Sequence, residues 1–130
     1  MDGVIGLQHI GIPCQVLDKA IDFYEKLGFV VLGKFTNERK FGLQRVCFVR
    51  YGGLVLELYD GESAPCRDGA VNHFALDVTG DIDVLYQQCA RMGLKCVSNG
   101  IHFLPFWENG IRYFIVEGPN SEKIELCKKI

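Results

Sequence analysis

The 130-residue chain lacks any apolar run near the roughly 18 residues that suggest a membrane-spanning helix. It also lacks a block of lysine or arginine, and its 14 basic and 16 acidic residues give a net charge of −2. Because proteins neutralise nucleic-acid phosphates with clustered basic residues, this composition argues against DNA or RNA as a partner. We therefore expect the protein to bind neither membranes nor nucleic acids.

The first residues show no basic region, apolar stretch or cleavage site of a secretory signal, which predicts a cytoplasmic protein. Six cysteines, at positions 14, 47, 66, 89, 96 and 127, contain no Cys-x-x-Cys pair. In a chain without an export signal we expect reduced thiols, most of them packed as small apolar side chains. The length and the 48% of hydrophobic residues predict a single globular domain.

The order of strand-like and helix-like segments repeats once along the chain. Residues 7–12 and 71–76 are apolar runs that each contain one histidine directly after a side-chain amide. Each run precedes an amphipathic helix, with apolar residues at 17, 20, 21, 24 and 27 in the first copy and at 82, 85, 89 and 92 in the second. Asp81 is a predicted N-cap, and Gly28 and Gly93 are expected just past the two helix ends.

Three strand-like segments follow each helix. They lie at about residues 29–35, 44–50 and 53–59 in the first copy and at 94–98, 111–117 and 122–128 in the second. Each copy therefore follows the order β-α-β-β-β. We predict an α+β fold of two tandem modules, about residues 5–60 and 70–128, whose strands form a curved mixed sheet.

Each module places one histidine and one glutamate in an apolar strand: His9 and Glu57 in the first, His73 and Glu125 in the second. Because side chains alternate along a strand, these residues face away from the side that packs under the helix. An unpaired buried carboxylate is costly, and a divalent cation is one partner that removes the cost. Two imidazoles and two carboxylates suit zinc, nickel, cobalt, manganese or iron(II). The alternative is four solvated residues on an open sheet face.

The repeated plan resembles the vicinal oxygen chelate superfamily, and within it the glyoxalase I (lactoylglutathione lyase) proteins. Three segments carry the resemblance. They are the C-terminal end of the first predicted helix at 23–29 (FYEKLGF), the strand at 72–76 (NHFAL) and the terminal segment 118–126 (GPNSEKIEL). It covers nearly the whole chain. The family turn Asp-Pro-Asp/Asn-Gly is replaced here by Gly-Pro-Asn-Ser, which changes a loop.

The resemblance implies that the two modules surround a metal ion held by His9, Glu57, His73 and Glu125. It also implies a homodimer with sites lined by both chains, and a glutamate that moves a proton next to a metal-chelated carbonyl. Glu125 is the expected base and Glu57 the second candidate, since a carboxylate that leaves a metal can accept a proton.

Substrate-binding residues are predicted from residue type alone. The aromatic-rich segment 99–110 either contacts an apolar or planar ligand or folds back over the protein. Arginine recognises carboxylates through paired hydrogen bonds. The candidate substrate-binding residues, aromatic and arginine together, are Arg39, Arg45, Phe106, Trp107 and Arg112.

Two further residues have roles left open by the sequence. His102 has no counterpart in the repeat, and it either packs in its loop or acts as an acid or base. Cys127 lies two residues after Glu125, hence on the same face, and is predicted to be a bystander rather than a metal ligand.

Several activities share this architecture. The leading prediction is a glyoxalase-like lyase or isomerase acting on a hemithioacetal. Epimerases of acyl thioesters tend to carry an amide at the position of Glu57, and ring-cleaving dioxygenases require two histidines and one carboxylate. A drug-sequestering binding protein would lack the full ligand set, and fosfomycin-modifying relatives require a cationic pocket.

Overall fold

The computed structural model describes residues 2–3, 5–61, 63–67, 69 and 71–130. The chain forms two compact units, unit 1 (Met1–Pro65) and unit 2 (Cys66–Ile130). In the described residues each unit contains one helix and one sheet of mixed strands. The predicted α+β class is confirmed, with the strands arranged in two sheets, one to a unit.

Unit 1 follows the predicted order of elements. It contains β1 (Ile10–Pro13), α1 (Leu17–Lys26), β2 (Val30–Arg39), β3 (Gly42–Tyr51) and β4 (Leu54–Tyr59). The strand order is β1-β4-β3-β2, with β1 parallel to β4 and the other pairs antiparallel. The first and last strands of the unit are therefore neighbours in the sheet.

Helix α1 covers one face of this sheet. Four of the five residues of the predicted apolar stripe of α1 are buried, as are the residues of β3 and β4 that alternate towards it. These residues are Leu17, Ala20, Ile21 and Tyr24 of the helix and Cys47, Val49, Leu56 and Leu58 of the sheet. Gly28 follows the helix with φ +98°, a conformation that favours glycine.

Unit 2 repeats this plan with one additional strand. The elements are β5 (His73–Asp77), α2 (Ile82–Arg91), β6 (Lys95–Cys96), β7 (His102–Leu104), β8 (Ile111–Glu117) and β9 (Lys123–Lys129). The sheet order is β5-β9-β8-β6, with β5 parallel to β9 and with β7 also paired to β8. The Asp81 carboxylate caps α2, as predicted, by accepting hydrogen bonds from the backbone N–H groups of Asp83 and Val84.

The edge of the second sheet differs from the sequence prediction. A strand was predicted at 94–98, and the aromatic-rich segment 99–110 was predicted to connect two strands. Instead β6 is two residues long, and β7 lies inside the connecting segment and pairs with the start of β8. Asn99 and Gly100 have φ values of +55° and +99°, so a left-handed turn divides this edge into two short strands.

The β2–β3 hairpin is longer than predicted. Residues 36–39 continue β2 and pair with 42–45, from Thr36 opposite Arg45 to Arg39 opposite Gly42. Nearly every residue of this extension is exposed, so it has no buried face and no alternation of apolar residues. The usual sequence signal of a strand is therefore missing from this segment.

The six cysteines are all free thiols, in agreement with the prediction. Cys14, Cys47 and Cys89 are buried. Burial raises the pKa of the Cys47 and Cys89 thiols, which disfavours the reactive thiolate form of both. Within the described ranges, no helix has the length and apolar character needed to cross a membrane.

Candidate metal centre

The first histidine–glutamate pair lies across β1 and β4. Glu57 of β4 is opposite Gly11 of β1, and His9 precedes Gly11 by two residues. Residues two apart share a face, so His9 and Glu57 become diagonal neighbours on the face away from α1. The His9 Nε2 and Glu57 Oε2 atoms are 3.0 Å apart.

The second pair has the same register in unit 2. Glu125 of β9 is opposite Ala75 of β5, and His73 precedes Ala75 by two residues. The His73 Nε2 and Glu125 Oε2 atoms are 3.4 Å apart. Each unit therefore forms its pair where its first and last strands are neighbours, with the imidazole one diagonal step from the carboxylate.

A small residue faces each glutamate across the strand pair. A Cβ atom added at Gly11 would lie 3.8 Å from Glu57 Oε2 and 3.4 Å from the Tyr59 ring. That is ordinary contact for one methyl group, and unit 2 has Ala75 at the equivalent position. A longer side chain at either position would occupy the space beside the carboxylate.

The Nδ1 atom of each histidine faces the side-chain amide of the preceding residue. His9 Nδ1 contacts Gln8 Oε1, and His73 Nδ1 lies 3.0 Å from Asn72 Oδ1. The Nε2 atoms are left facing the glutamates. Each imidazole is thus held between an amide oxygen and a carboxylate of its own unit.

The two pairs fit the chemistry of a divalent metal ion. Nitrogen and oxygen ligands about 2.0–2.2 Å from one ion lie about 3.0–3.5 Å apart, and the two Nε2–Oε2 distances fall in that range. The same distances also suit an ion pair with a protonated imidazole. Among the described residues no group of three or more His, Cys, Asp or Glu comes together, so each unit by itself offers two potential ligands.

Aromatic residues surround the pair of unit 1. Phe48 of β3 is opposite Glu57, and its ring meets the His9 ring edge-on with centroids 5.7 Å apart. Phe35 of β2 packs against Phe48 at 6.0 Å. Sequence reasoning missed both residues, although the alternation of β3 places Phe48 on the face of Glu57. The missing information was the register between β3 and β4.

Unit 2 places polar side chains in the row beside Glu125. Tyr113 of β8 is opposite both His102 of β7 and Cys127 of β9. Cys127 is two residues from Glu125, so all of these residues share its face. The His102 and Tyr113 rings are 5.7 Å apart, and His102 Nε2 donates a hydrogen bond to the Ser98 carbonyl. His102 therefore lies in a strand, with its ring on the glutamate face.

The Cys127 thiol has the features expected of a bystander. It donates a hydrogen bond to the Leu76 carbonyl at 3.6 Å. Burial, followed by the nearby Glu125 and Asp77 carboxylates, raises the pKa of the Cys127 thiol. The thiolate form that binds metals is therefore disfavoured.

Two of the three candidate arginines are paired with carboxylates of the chain. The Arg45 guanidinium lies 2.9 Å from Asp60 and 3.5 Å from Asp18. Arg112 forms two hydrogen bonds to Asp83, of 2.7 and 3.0 Å. By strand alternation both arginines lie on the helix-covered face of their sheet, opposite the histidine–glutamate pair. Substrate binding by Arg45 and Arg112 stays a prediction, and we leave both out of the proposed site.

The remaining substrate candidates are exposed residues at a strand end and in a turn. Arg39 ends β2 in the extended hairpin. Phe106 and Trp107 lie between β7 and β8, and the Lys129 ammonium group lies 4.0 Å from the centre of the Trp107 ring. This cation–π contact ties the aromatic segment to β9. Ligand binding by these three residues stays a prediction.

Comparison with known proteins establishes the family. The sequence model of one protein family, the Glyoxalase/Bleomycin resistance protein/Dioxygenase superfamily, matches residues 6–104 of this chain. The chain belongs to this superfamily. The matched residues include three of the four predicted ligands and end before Glu125.

Individual proteins also align with almost the whole chain. The uncharacterized protein YwbC of Bacillus subtilis (strain 168) is 32% identical over 128 residues, which are 95% of this chain and 97% of YwbC. A glyoxalase family protein from Enterococcus faecalis has a TM-score of 0.75 and 22% identity, covering 94% of this chain and 96% of that one. The fosfomycin resistance protein FosX from Listeria monocytogenes, crystallised with Mn(II) and sulfate, has a TM-score of 0.72 and 19% identity. The match covers 98% of this chain and 94% of the FosX chain.

Proposed function

We propose that the chain is a metalloenzyme of the glyoxalase type, in which His9, Glu57, His73 and Glu125 bind one divalent metal ion per chain. The observation that carries the proposal is the repetition of the histidine–glutamate pair, with one register, in two units with different loops. A single such pair is explained by an ion pair. The repetition of the pair on matching strands favours one function common to both pairs. Histidine and glutamate are residue types that bind divalent metal ions.

The proposed reaction moves a proton at a carbon next to a chelated carbonyl. A bound divalent ion supplies stabilisation of negative charge on the substrate oxygen. Glu125 would remove the proton from one carbon and return it to the neighbouring carbon, and Glu57 would help to hold the metal ion. The Glu125 side chain is 17% exposed against 26% for Glu57, so water competes less for the carboxylate of Glu125. His102 and Tyr113 supply polar groups beside Glu125, on the side where the substrate would extend.

The proposed substrate is a hemithioacetal or a related compound with two neighbouring oxygen atoms. Phe35 and Phe48 offer an apolar surface beside His9 for the uncharged part of such a molecule. The Mn(II) in the FosX crystal structure supports a divalent metal for this chain, with nickel, cobalt, zinc and iron(II) as further candidates. We also propose a homodimer, in which the ligand pairs come from one chain or from two.

The first test measures metal binding by the chelator-treated protein. Calorimetric titration with Ni(II), Co(II), Zn(II) and Mn(II) should give one ion per chain. His73→Ala and Glu125→Ala should abolish stoichiometric binding, and so should His9→Ala and Glu57→Ala. Glu25→Ala is the matched control, because it removes the same residue type outside the pairs, and it should bind as the wild type does.

The second test measures turnover by the metal-loaded protein. Exchange of the substrate C–H proton with deuterated water should occur with a hemithioacetal of a 2-oxoaldehyde, and exchange with an acyl thioester instead would favour the epimerase alternative. A wild-type protein that binds no metal, or binding that is indifferent to all four ligand substitutions, would favour a small-molecule binding protein.

A further inference from the structure

The side-chain amides of Gln8 and Asn72 occupy equivalent positions in the two units. Each directly precedes a histidine, and each places its oxygen against that histidine's Nδ1 atom. We propose that Gln8 and Asn72 are positioning residues, which hold the two imidazoles so that Nε2 is the nitrogen available to a metal ion. This inference rests on the function proposed above.

The hydrogen-bonding capacity of the amides decides which nitrogen of each imidazole is available. An amide oxygen can only accept, so the Nδ1 atom that faces it must carry the hydrogen. The other ring nitrogen, Nε2, faces the glutamate of the same pair at 3.0 Å in unit 1 and 3.4 Å in unit 2. A metal ion that replaces a proton on the imidazole therefore does so at Nε2, beside the carboxylate. The amide selects the ligand atom and fixes the plane of the ring.

Local backbone structure explains how neighbouring residues reach each other. In a regular strand, residues i and i+1 face opposite sides of the sheet. His73 is the first residue of β5, and His9 directly precedes β1. The residue before each histidine therefore lies outside the paired strand, where its side chain can turn to the edge of the ring. A histidine in the middle of a strand could not be held in this way.

The two amides differ in length, so the repetition preserves the acceptor oxygen rather than the side chain. Glutamine and asparagine differ by one methylene group, yet both bring an oxygen to the same ring atom. Both residues are exposed, so water competes for these hydrogen bonds and limits their effect on stability. Loss of a hydrogen bond that orients a metal ligand typically lowers affinity about 10–100-fold. With both amides exposed, we expect the lower end of that range.

The experiment removes the acceptor and then restores it. Gln8→Leu and Asn72→Leu delete the oxygen, whereas Gln8→Glu and Asn72→Asp keep an oxygen that accepts from Nδ1. Gln87→Leu is the matched control, because Gln87 is an exposed amide on α2. Two quantities are measured: the Zn(II) affinity of the full-length protein by calorimetry, and the exchange with water of the imidazole Nδ1–H protons in the zinc-loaded protein by NMR.

We expect each leucine variant to bind Zn(II) about 10-fold more weakly. The Nδ1–H proton should exchange faster at His73 alone in Asn72→Leu, and at His9 alone in Gln8→Leu. The acidic variants should recover wild-type affinity or exceed it, and the control should change neither quantity. Leucine variants with wild-type affinity and exchange would overturn the inference while the wild type still binds zinc. Failure of the wild type to bind any metal would instead remove the proposed function, and the inference with it.

Discussion

Unit 1 and unit 2 share the register of their histidine–glutamate pairs and differ in most of what surrounds them. Unit 1 carries two ten-residue strands, β2 and β3, which extend into a polar hairpin. At the corresponding edge unit 2 has the two-residue β6, the three-residue β7 and an aromatic turn. The pair requires two strands to be neighbours, β1 with β4 and β5 with β9, so the rest of each unit is free to diverge.

The largest expected difference between the units is the effect of replacing each glutamate on the proposed catalysis. In metal-loaded protein with a hemithioacetal substrate, Glu125→Gln should lower kcat by about 10²–10⁴-fold, because it removes the proposed base. Glu57→Gln should lower kcat less when metal is saturating, because it weakens a ligand only. Steady-state kinetics with measured metal occupancy test this prediction. Equal losses in the two variants would show that the glutamates do not have separate roles.

A second comparison concerns the core, where the units should behave alike. Leu56 and Ile124 directly precede the two glutamates, and both are fully buried. Replacing either with alanine should lower the free energy of unfolding by about 2–5 kcal/mol, because each change leaves a cavity. Urea unfolding measures the loss, with Val84→Ala on the exposed face of α2 as control. A loss below about 1 kcal/mol in one unit alone would show that its core relaxes around the gap.

The sequence predicted most of this architecture because the physical signals are local. The helical stripes of α1 and α2, the Asp81 cap and the alternation around Glu57 and Glu125 each depend on a few consecutive residues. The predicted order of elements was accordingly found in both units. The hairpin extension was missed because it buries neither face, and β7 because a left-handed turn interrupts the apolar pattern of its edge.

The sequence could not show features that depend on the register between strands or on contacts with residues far away in the chain. Phe48 becomes part of the site through its position opposite Glu57, which depends on the pairing of β3 with β4. Arg45 and Arg112 looked available because their carboxylate partners lie 15 to 29 residues away. Residue type indicated that these arginines can bind carboxylates, and only the fold shows which carboxylates they contact.

The helix caps offer a smaller comparison between the units. Helix α2 is capped by Asp81, whereas α1 begins after Val16, whose side chain forms no cap. Asp81→Ala should lower the free energy of unfolding by about 0.5–2 kcal/mol, and Val16→Ser should raise it by up to about 1 kcal/mol. Thermal and urea unfolding of both variants test the prediction. Stabilisation by Val16→Ala as large as that by Val16→Ser would show that the hydroxyl is not responsible.

The smallest expected effect is electrostatic. Lys95 and Glu117 pair at 2.8 Å on β6 and β8, whereas Val30 faces Arg50 at the equivalent rung of unit 1. The hydrogen bond from Lys95 holds the pKa of Glu117 below its ordinary value. A carboxyl group whose pKa is lower in the folded chain than in the unfolded chain stabilises the fold above the unfolded pKa. That contribution disappears as the pH falls through the folded pKa.

Glu117→Gln should therefore cost about 0.2–1 kcal/mol at neutral pH, and the difference from the wild type should vanish in acid. Urea unfolding over a pH series measures it, with Lys95→Met removing the same ion pair from the other side. A difference that is constant with pH would assign the loss to packing instead of charge.

The placement of each pair on the first and last strands of its unit also has a consequence for folding. His9 and Glu57 lie almost a whole unit apart in sequence, so bringing them together requires closing a loop that contains the helix and the hairpin. Closing such a loop costs chain entropy before any contact compensates for it. A nascent or partly folded chain can form α1 and the β2–β3 hairpin and still hold no ligand pair. Capture of the proposed metal ion would then follow folding rather than direct it.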